Sequence, residues 1–224
     1  MTNIDDVVYS KRLRKVTGEL EVFSENAKFI YLSNPPLNSS LSTGKEMLFL
    51  QGVTISRTKE MEKSIRKHDK DPLYAIKMYM KLFGLQYDAE YMKRILVDTA
   101  FLVRKLKNKF NRPRPSQLSP YYMSELEVIS SRSAKTPSYP SGHTTQARLI
   151  AEIYADKYPE HRKNLLMAAE EAGAGRIIGG LHFPTDHKAG IYLAKRLFKT
   201  IKNKKPHKSS ADTRIFDISS RKGD

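Results

Sequence analysis

Three short stretches of this chain hold residue types that could together handle an oxyanion. Ser138-Tyr139-Pro140-Ser141-Gly142-His143-Thr144 reads as a helix start: Pro140 and Ser141 are start signals, and Gly142 lets the backbone come close to a ligand. The first N–H groups of a helix have no intrahelical partner and point outward at a ready site for phosphate. His143, Ala147, Ile150, Ala151 and Tyr154 then share one helical stripe, which aims His143 at the base of a buried face. Upstream, Lys107 precedes Arg114-Pro115 with six residues between them. Downstream, Arg176 precedes His182 with five residues between, and Asp186 follows His182 by four.

Transfer of a phosphoryl group spreads negative charge over three equatorial oxygens, which fixed cations and helix N–H groups can stabilise without a metal. Lys107 offers a point charge, whereas Arg114 and Arg176 offer planar forks for bidentate oxygen contacts. Ser141 and Gly142 add hydroxyl and backbone N–H donors. The chain contains no cysteine, so histidine is the natural nucleophile near neutral pH. Asp186 is placed to hydrogen-bond the far nitrogen of His182 and hold its tautomer. Each stretch alone also has a plain structural reading. Pro140 to His143 could be a capped helix with a core histidine, and His182 with Asp186 a surface turn capping the next helix. The acid-free run Arg104, Lys105, Lys107, Lys109, Arg112 and Arg114 is partly what a helix C-terminus attracts through its dipole. That account does not reach Arg112-Pro113-Arg114-Pro115, where prolines stiffen the backbone and hold two guanidinium groups off the helix.

Taken in order, the three stretches resemble the signature of the type-2 phosphatidic acid phosphatase superfamily, which includes the bacterial class A non-specific acid phosphatases and the vanadium haloperoxidases. The class A acid phosphatases are resembled further in Asn34-Pro35-Pro36, in Ser138-Tyr139, and in the spacing of Glu171, Gly173, Arg176, Ile178, Gly180 and His182. The resemblance runs from about Asn34 to Lys202. It departs at Gly175, where the family usually has serine, and Lys105 with Arg112-Pro113 offers a second register for the first motif. The resemblance implies attack by His182 to give a phosphohistidine, with Asp186 orienting it. It further implies that His143 protonates the leaving oxygen and later activates water, and that Lys107, Arg114, Ser141, Gly142 and Arg176 bind the phosphate. No metal and no cofactor are expected.

These residues need helices to position them, and the sequence predicts an all-α, compact multi-helix domain with no strand alternation. Val7 to Leu32 is loosely helical and breaks at Asn34-Pro35-Pro36. Leu37 to Thr43 reads as a loop, Lys45 to Lys67 as one or two helices, and a further helix begins at Asp71-Pro72 and stops at Gly84. Asp88 caps the clearest helix, whose stripe runs Met92, Ile95, Leu96, Thr99, Leu102, Val103, Leu106 and Phe110. Pro115 to Tyr139 is expected to be an irregular rim or lid over the site. Two helices follow His143's own: one near Pro159 with Leu165, Ala169, Ala172 and Arg176 on a stripe, and one from Asp186 to Ile201. The expected organisation is a helical extension over 1–33, a phosphatase domain over 34–202 and a basic, disordered tail over 203–224. His68, His161, His187 and His207 are expected at the surface.

Lys and Arg number 40 against 24 Asp and Glu, a net charge of +16, so the surface should attract phosphorylated metabolites, nucleic acid, polyphosphate or acidic lipid. Lack of cysteine excludes disulfides and zinc fingers. The acidic start Met1-Thr2-Asn3-Ile4-Asp5-Asp6 does not read as a secretory signal, and no stretch approaches the ~18 apolar residues of a membrane span, so a cytoplasmic location is expected. The leading expectation is a phosphomonoesterase acting on small phosphorylated substrates, with homo-oligomers implied by the resemblance alone. Also open are a lipid-phosphate phosphatase at an acidic membrane surface, a vanadium haloperoxidase, and a basic nucleic-acid-binding protein with a vestigial site.

Overall fold

The computed structural model describes residues 3–201. Among them there is no strand, only a single antiparallel bridge between Phe23 and Ile201, and the chain is organised as eight α-helices. These are α1 (Leu41–Ile55), α2 (Lys59–Lys70), α3 (Tyr74–Leu82), α4 (Ala89–Phe110), the single-turn α5 (Pro115–Leu118), α6 (Gly142–Lys157), α7 (Arg162–Ile178) and α8 (Pro184–Phe198).

Local chemistry explains where they begin and end. The Asp88 side chain accepts from the Tyr91 N–H at 2.9 Å and starts α4. Asn111 ends it in the left-handed conformation, and Pro113 prevents continuation. Gly84, at φ 63°, closes the turn after α3. Helix α1 begins at Leu41 rather than after Thr43, because the Ser40 hydroxyl accepts from the Thr43 N–H and caps it.

Helix α6 lies at the centre and packs on α7, α8 and α4. Ala147, Leu149, Ile150, Ala151 and Tyr154 are fully buried, so α6 is enclosed on nearly every side. Its neighbours come close because they present small residues: Ala168, Ala169, Ala172 and Gly173 on α7, and Ala189, Gly190 and Ala194 on α8. A smaller core of Met47, Leu50, Leu118 and Phe183 joins α1 to α5 and to the turn before α8.

Three expectations are corrected. The segment 1–33 is not a helical extension: its described part carries only 3-10 turns at Ile4–Asp6 and Glu25–Phe29. Its backbone donors find partners on α4 instead, where the buried Asp98 carboxylate accepts from Glu21, Val22 and Phe23 N–H at 2.7–3.2 Å. Leu20, Val22, Phe23, Ala27 and Leu32 are thereby held in the main core. His68 and His187 are not surface residues, being 2% and 7% exposed. His68 donates from Nδ1 to the Ser64 carbonyl at 3.1 Å, and His187 is clamped between Thr144 on α6 (3.0 Å) and Glu170 on α7 (2.6 Å). His161 is partly buried against Tyr79 and Phe83. His207 and the tail expected over 203–224 lie outside the described residues. The 115–139 connection, read as irregular, contains α5 and two 3-10 turns, Ser119–Tyr122 and Arg132–Ala134.

The slot for His187 depends on Gly173: a Cβ there would stand 2.3 Å from the imidazole and 2.9 Å from the Thr144 hydroxyl. Gly173→Ala is therefore expected to destabilise the fold by about 1–3 kcal/mol through overpacking. Adding His187→Ala should recover part of that loss in a double-mutant cycle of denaturant unfolding, and additive losses would show that the clash is not with this ring.

Candidate active site

Four chain segments bring the predicted residues together: the C-terminal end of α4 with the following turn, the 131–138 stretch, the start of α6, and the turn from α7 into α8. Asp186 is the hub. Its side chain is fully buried; Oδ1 accepts from Arg112 Nη1 at 2.7 Å, while Oδ2 accepts from the Phe183 N–H at 2.9 Å, from the Ser138 hydroxyl and from His182 Nδ1 at 3.1 Å. Its backbone carbonyl accepts from the Ser141 N–H at 3.0 Å, which ties the start of α8 to the start of α6. Burial pushes this carboxyl upward, but Arg112 and the donors outweigh it and hold the pKa below the usual carboxylate range.

With Nδ1–H directed at Asp186, the His182 lone pair is on Nε2, where Arg114 Nη1 donates to it at 3.0 Å. Burial and the Arg114 charge hold His182 well below the usual histidine pKa, so the ring is neutral. Arg114 also donates from Nε to the Thr136 carbonyl (2.9 Å) and from Nη1 to the Leu181 carbonyl (2.6 Å). Burial brings Arg114 down to about 10, and it remains a cation at neutral pH. Lys107 Nζ donates to the carbonyls of Pro137 and Ser138, and burial with the nearby Arg114 places its pKa well below the usual lysine range. His143 makes one long contact, 3.5 Å from Nε2 to the Asp69 carbonyl, and burial together with Arg176 lowers its pKa to about 3.

Lys107, Arg114, Gly142, His143 and His182 line one cavity of about 280 Å³. Asp186 stands behind His182. Ser141 and Arg176 do not line the cavity. The Ser141 hydroxyl is buried and accepts from Thr144 at 2.9 Å, and Arg176 is turned to Asp69, donating from Nη1 at 2.5 Å and from Nη2 to Ser131 and Ser133 at 3.1 and 2.8 Å. The two registers of the first motif separate in space. Lys105 is exposed with its ammonium 5.0 Å from the Phe101 ring, whereas Lys107 is buried at the site. Gly175 lies against Ile65, where an added Cβ would be 3.5 Å from Cγ1. A larger cleft of about 540 Å³ runs along Tyr31–Pro36, Tyr139 and Tyr192, but no motif cation enters it. Among the described residues, no group of three His, Asp or Glu side chains is arranged to hold a metal.

Sequence reasoning missed four residues. Arg112 joins Asp186 to Glu46 of α1 (3.2 Å) and to the Thr185 hydroxyl (2.7 Å), and Glu46 in turn accepts from the Thr185 N–H at 2.6 Å. Arg112 had a signal, since it shares its proline-stiffened turn with Arg114. Ser138 stood in its motif without a role, whereas Glu46 and Asp69 had no signal: a single acid far along the chain looks like any other.

Two site histidines with lowered pKa make a prediction about acid. In the unfolded chain they protonate near pH 6.5, whereas His143 when folded resists until about 3. Below pH 6.5 the unfolded state therefore binds more protons, and stability contributed above that pH is lost as pH falls. Asp186, depressed in turn, adds its own loss only below about pH 4. The melting temperature should fall between pH 7 and 4.5, with a shallower fall in His143→Gln. Equal slopes in both proteins would remove His143 from this account.

Comparisons with known proteins bear on this arrangement. The chain is 29% identical over 177 residues to an acid phosphatase of Zymomonas mobilis, covering 74% of this chain and 65% of that one. It is 31% identical over 101 residues to a lipid A 1-phosphatase of Rhizobium johnstonii, 45% of this chain and 41% of that one. The chain thus spans less than two thirds of the length of these relatives. A crystal structure described as the first transmembrane PAP2 type phosphatidylglycerolphosphate phosphatase from Bacillus subtilis superposes with a TM-score of 0.51 at 19% identity, covering 72% of this chain and 85% of that one, which supports the shared all-α fold. Among the described residues, no helix is long and apolar enough to cross a membrane. The model of the PAP2 superfamily matches residues 94–205, half of the sequence and the half that holds every candidate site residue, and the chain belongs to that superfamily.

Proposed function

We propose that this chain is a metal-independent phosphatase that hydrolyses phosphomonoesters through a phosphohistidine on His182. The observation that carries the reading is the buried Asp186–His182–Arg114 line: one imidazole nitrogen is fixed by a carboxylate and the other is turned toward a cavity that also receives Lys107.

The substrate phosphate enters as an anion and is met by Lys107, by Arg114 and by the N–H groups at the start of α6. Arg114 exchanges its bond to His182 Nε2 for bonds to phosphate oxygen, which frees the lone pair. Arg176, behind the cavity lining, is the third cation; its Nε has no partner among the described residues and is the donor proposed for an oxyanion when Asp69 and the serines hold its other nitrogens. His182 Nε2 attacks phosphorus, the P–N bond forms and the P–O bond to the leaving alcohol breaks. The Nδ1–H bond to Asp186 stabilises the positive ring that results. His143 gives a proton to the departing oxygen. It is neutral in the empty site, and the arriving anion raises its proton affinity. In the second half, His143 takes a proton from water as that water attacks the phosphohistidine. This releases phosphate and returns the neutral His182.

Activity on p-nitrophenyl phosphate should survive chelator and be inhibited by vanadate, and strict dependence on added magnesium or zinc would refute the mechanism. Phosphatidate in vesicles, assayed alongside, tests the lipid-phosphate reading that the Rhizobium relatives raise.

The two histidines separate in a quench experiment. His182→Ala should form no phosphoenzyme with any ester. His143→Ala should lose ~10²–10⁴-fold with an alkyl ester but much less with a nitrophenyl ester, whose leaving group departs unprotonated. It should then accumulate acid-labile phosphate on His182. Label on His143 in the His182 variant would reverse the roles, and no phosphoenzyme in either protein would exclude a covalent intermediate.

A further inference from the structure

The cavity holds more positive charge than a single phosphate uses. Beyond Lys107 and Arg114 at its base, its wall carries Arg104 from α4 and Arg132 and Lys135 from the 3-10 turn at Arg132–Ala134 and the residue after it. All three are exposed, and among the described residues they have no carboxylate within ion-pair distance. Among the described residues no acidic side chain lines the cavity. Nor does the sequence supply one locally: from Arg104 to Pro120 and from Ser130 to Thr145 there is no Asp or Glu.

These charges are not accounted for by helix ends alone. Arg132 and Lys135 are not on an α-helix, and they belong to a segment pinned over the site, since Ser131 and Ser133 bond Asp69 and Arg176 while the Thr136 carbonyl accepts from Arg114. Arg104 stands one turn before Lys107 on the same face of α4, and residues so spaced have Cβ atoms about 5–6 Å apart. The cavity thus receives outer cations from two chain segments, α4 and the 3-10 turn with the residue after it. Gln146 and the apolar Ala100 and Val103 line it as well, and they suit an uncharged connecting group.

Resting on the phosphatase reading above, we propose that Arg104, Arg132 and Lys135 form a second anion subsite, and that the favoured substrates carry a second phosphate beyond the scissile one, as a diphosphate or bisphosphate ester. A monoester places one anion at Lys107 and Arg114 and leaves the three outer cations without one. A doubly phosphorylated substrate brings them its second anion. Charge-assisted contacts to an anion are then made at both ends.

The competing account is long-range steering, in which the outer cations attract every anion alike. The ratio of kcat/KM values therefore decides. Adenosine 5′-diphosphate is compared with the 5′-monophosphate, and fructose 1,6-bisphosphate with fructose 6-phosphate, for the natural chain and for the triple variant Arg104→Ala, Arg132→Ala, Lys135→Ala. The natural chain should favour the doubly charged member of at least one pair, and the triple variant should lose that preference by about tenfold or more, the worth of one lost charged contact. The pair that responds locates the second phosphate. A ratio that is the same in both proteins, or losses common to both members of each pair and abolished by added salt, would overturn the subsite. Calorimetric binding of pyrophosphate and of orthophosphate to His182→Ala keeps the two proposals apart. A preference over orthophosphate for pyrophosphate, or for fructose 1,6-bisphosphate titrated in the same way, that vanishes with the outer cations supports the subsite even where no ester is hydrolysed, and no preference for either refutes it whatever the catalytic result.

Discussion

The site hangs on a buried carboxylate. Asp186 has no exposure to solvent, and a charge taken out of water is tolerated only when donors surround it. It has four: Arg112, Ser138, His182 and the Phe183 N–H. Satisfying it fixes a great deal else. Arg112 must reach inward, which sets the direction of the Pro113-stiffened turn and so of Arg114, and Arg112 is itself held by Glu46 from α1 and lies with its guanidinium carbon 4.0 Å from the Phe183 ring centroid. The bond from the Ser141 N–H to the Asp186 carbonyl then sets the start of α6 relative to α8. His182, proposed as the nucleophile, Arg114, proposed to clamp phosphate, and the start of α6 are in this way referred to one anion.

Around it the structure gathers cations that repel one another. Lys107, Arg114 and Arg176 are each 5% exposed or less, and all three have lowered pKa. What holds them is mostly backbone oxygen, from Thr136, Pro137, Ser138 and Leu181, with Asp69 as the carboxylate on Arg176. Carbonyl dipoles neutralise less than a charge does, so in the proposed mechanism an arriving phosphate gains from cations already gathered, with Arg114 exchanging its bond to His182 as it binds.

The sequence announced the parts of this arrangement that depend on local chemistry. Helix α4 was legible from Asp88 and an eight-residue stripe, α6 from Pro140 and Ser141, and the all-α class from the absence of alternation. The motif residues came from residue type and spacing, and five of the eight line the cavity. The failures share a cause, which is that a long-range partner overrode a local preference. Val7 to Leu32 looked loosely helical, but Glu21, Val22 and Phe23 bond to Asp98, and His187 looked exposed but fits a slot that only a glycine on another helix leaves open. Arg176, expected to bind phosphate, faces Asp69 rather than the cavity for the same reason.

Asp69 shows how binding at the mouth and chemistry at the base can be linked. One carboxylate oxygen accepts from Arg176, Ser131 and Ser133 together, at 2.5, 2.5 and 3.2 Å, and the Asp69 carbonyl is the contact of His143. Ser131 and Ser133 flank Arg132, so the turn that presents an outer cation is the turn that grips Arg176. The segment is anchored further by Ile129 N–H to the Gly179 carbonyl at 3.0 Å before it, by Arg114 and Lys107 on the Thr136 and Pro137 carbonyls, and by Ser138 N–H to the Arg112 carbonyl at 2.9 Å after it. The hydroxyls on either side of Arg132 are the ones that orient Arg176. The residues proposed to select substrate and those proposed to stabilise the transferred phosphoryl group therefore share one short segment.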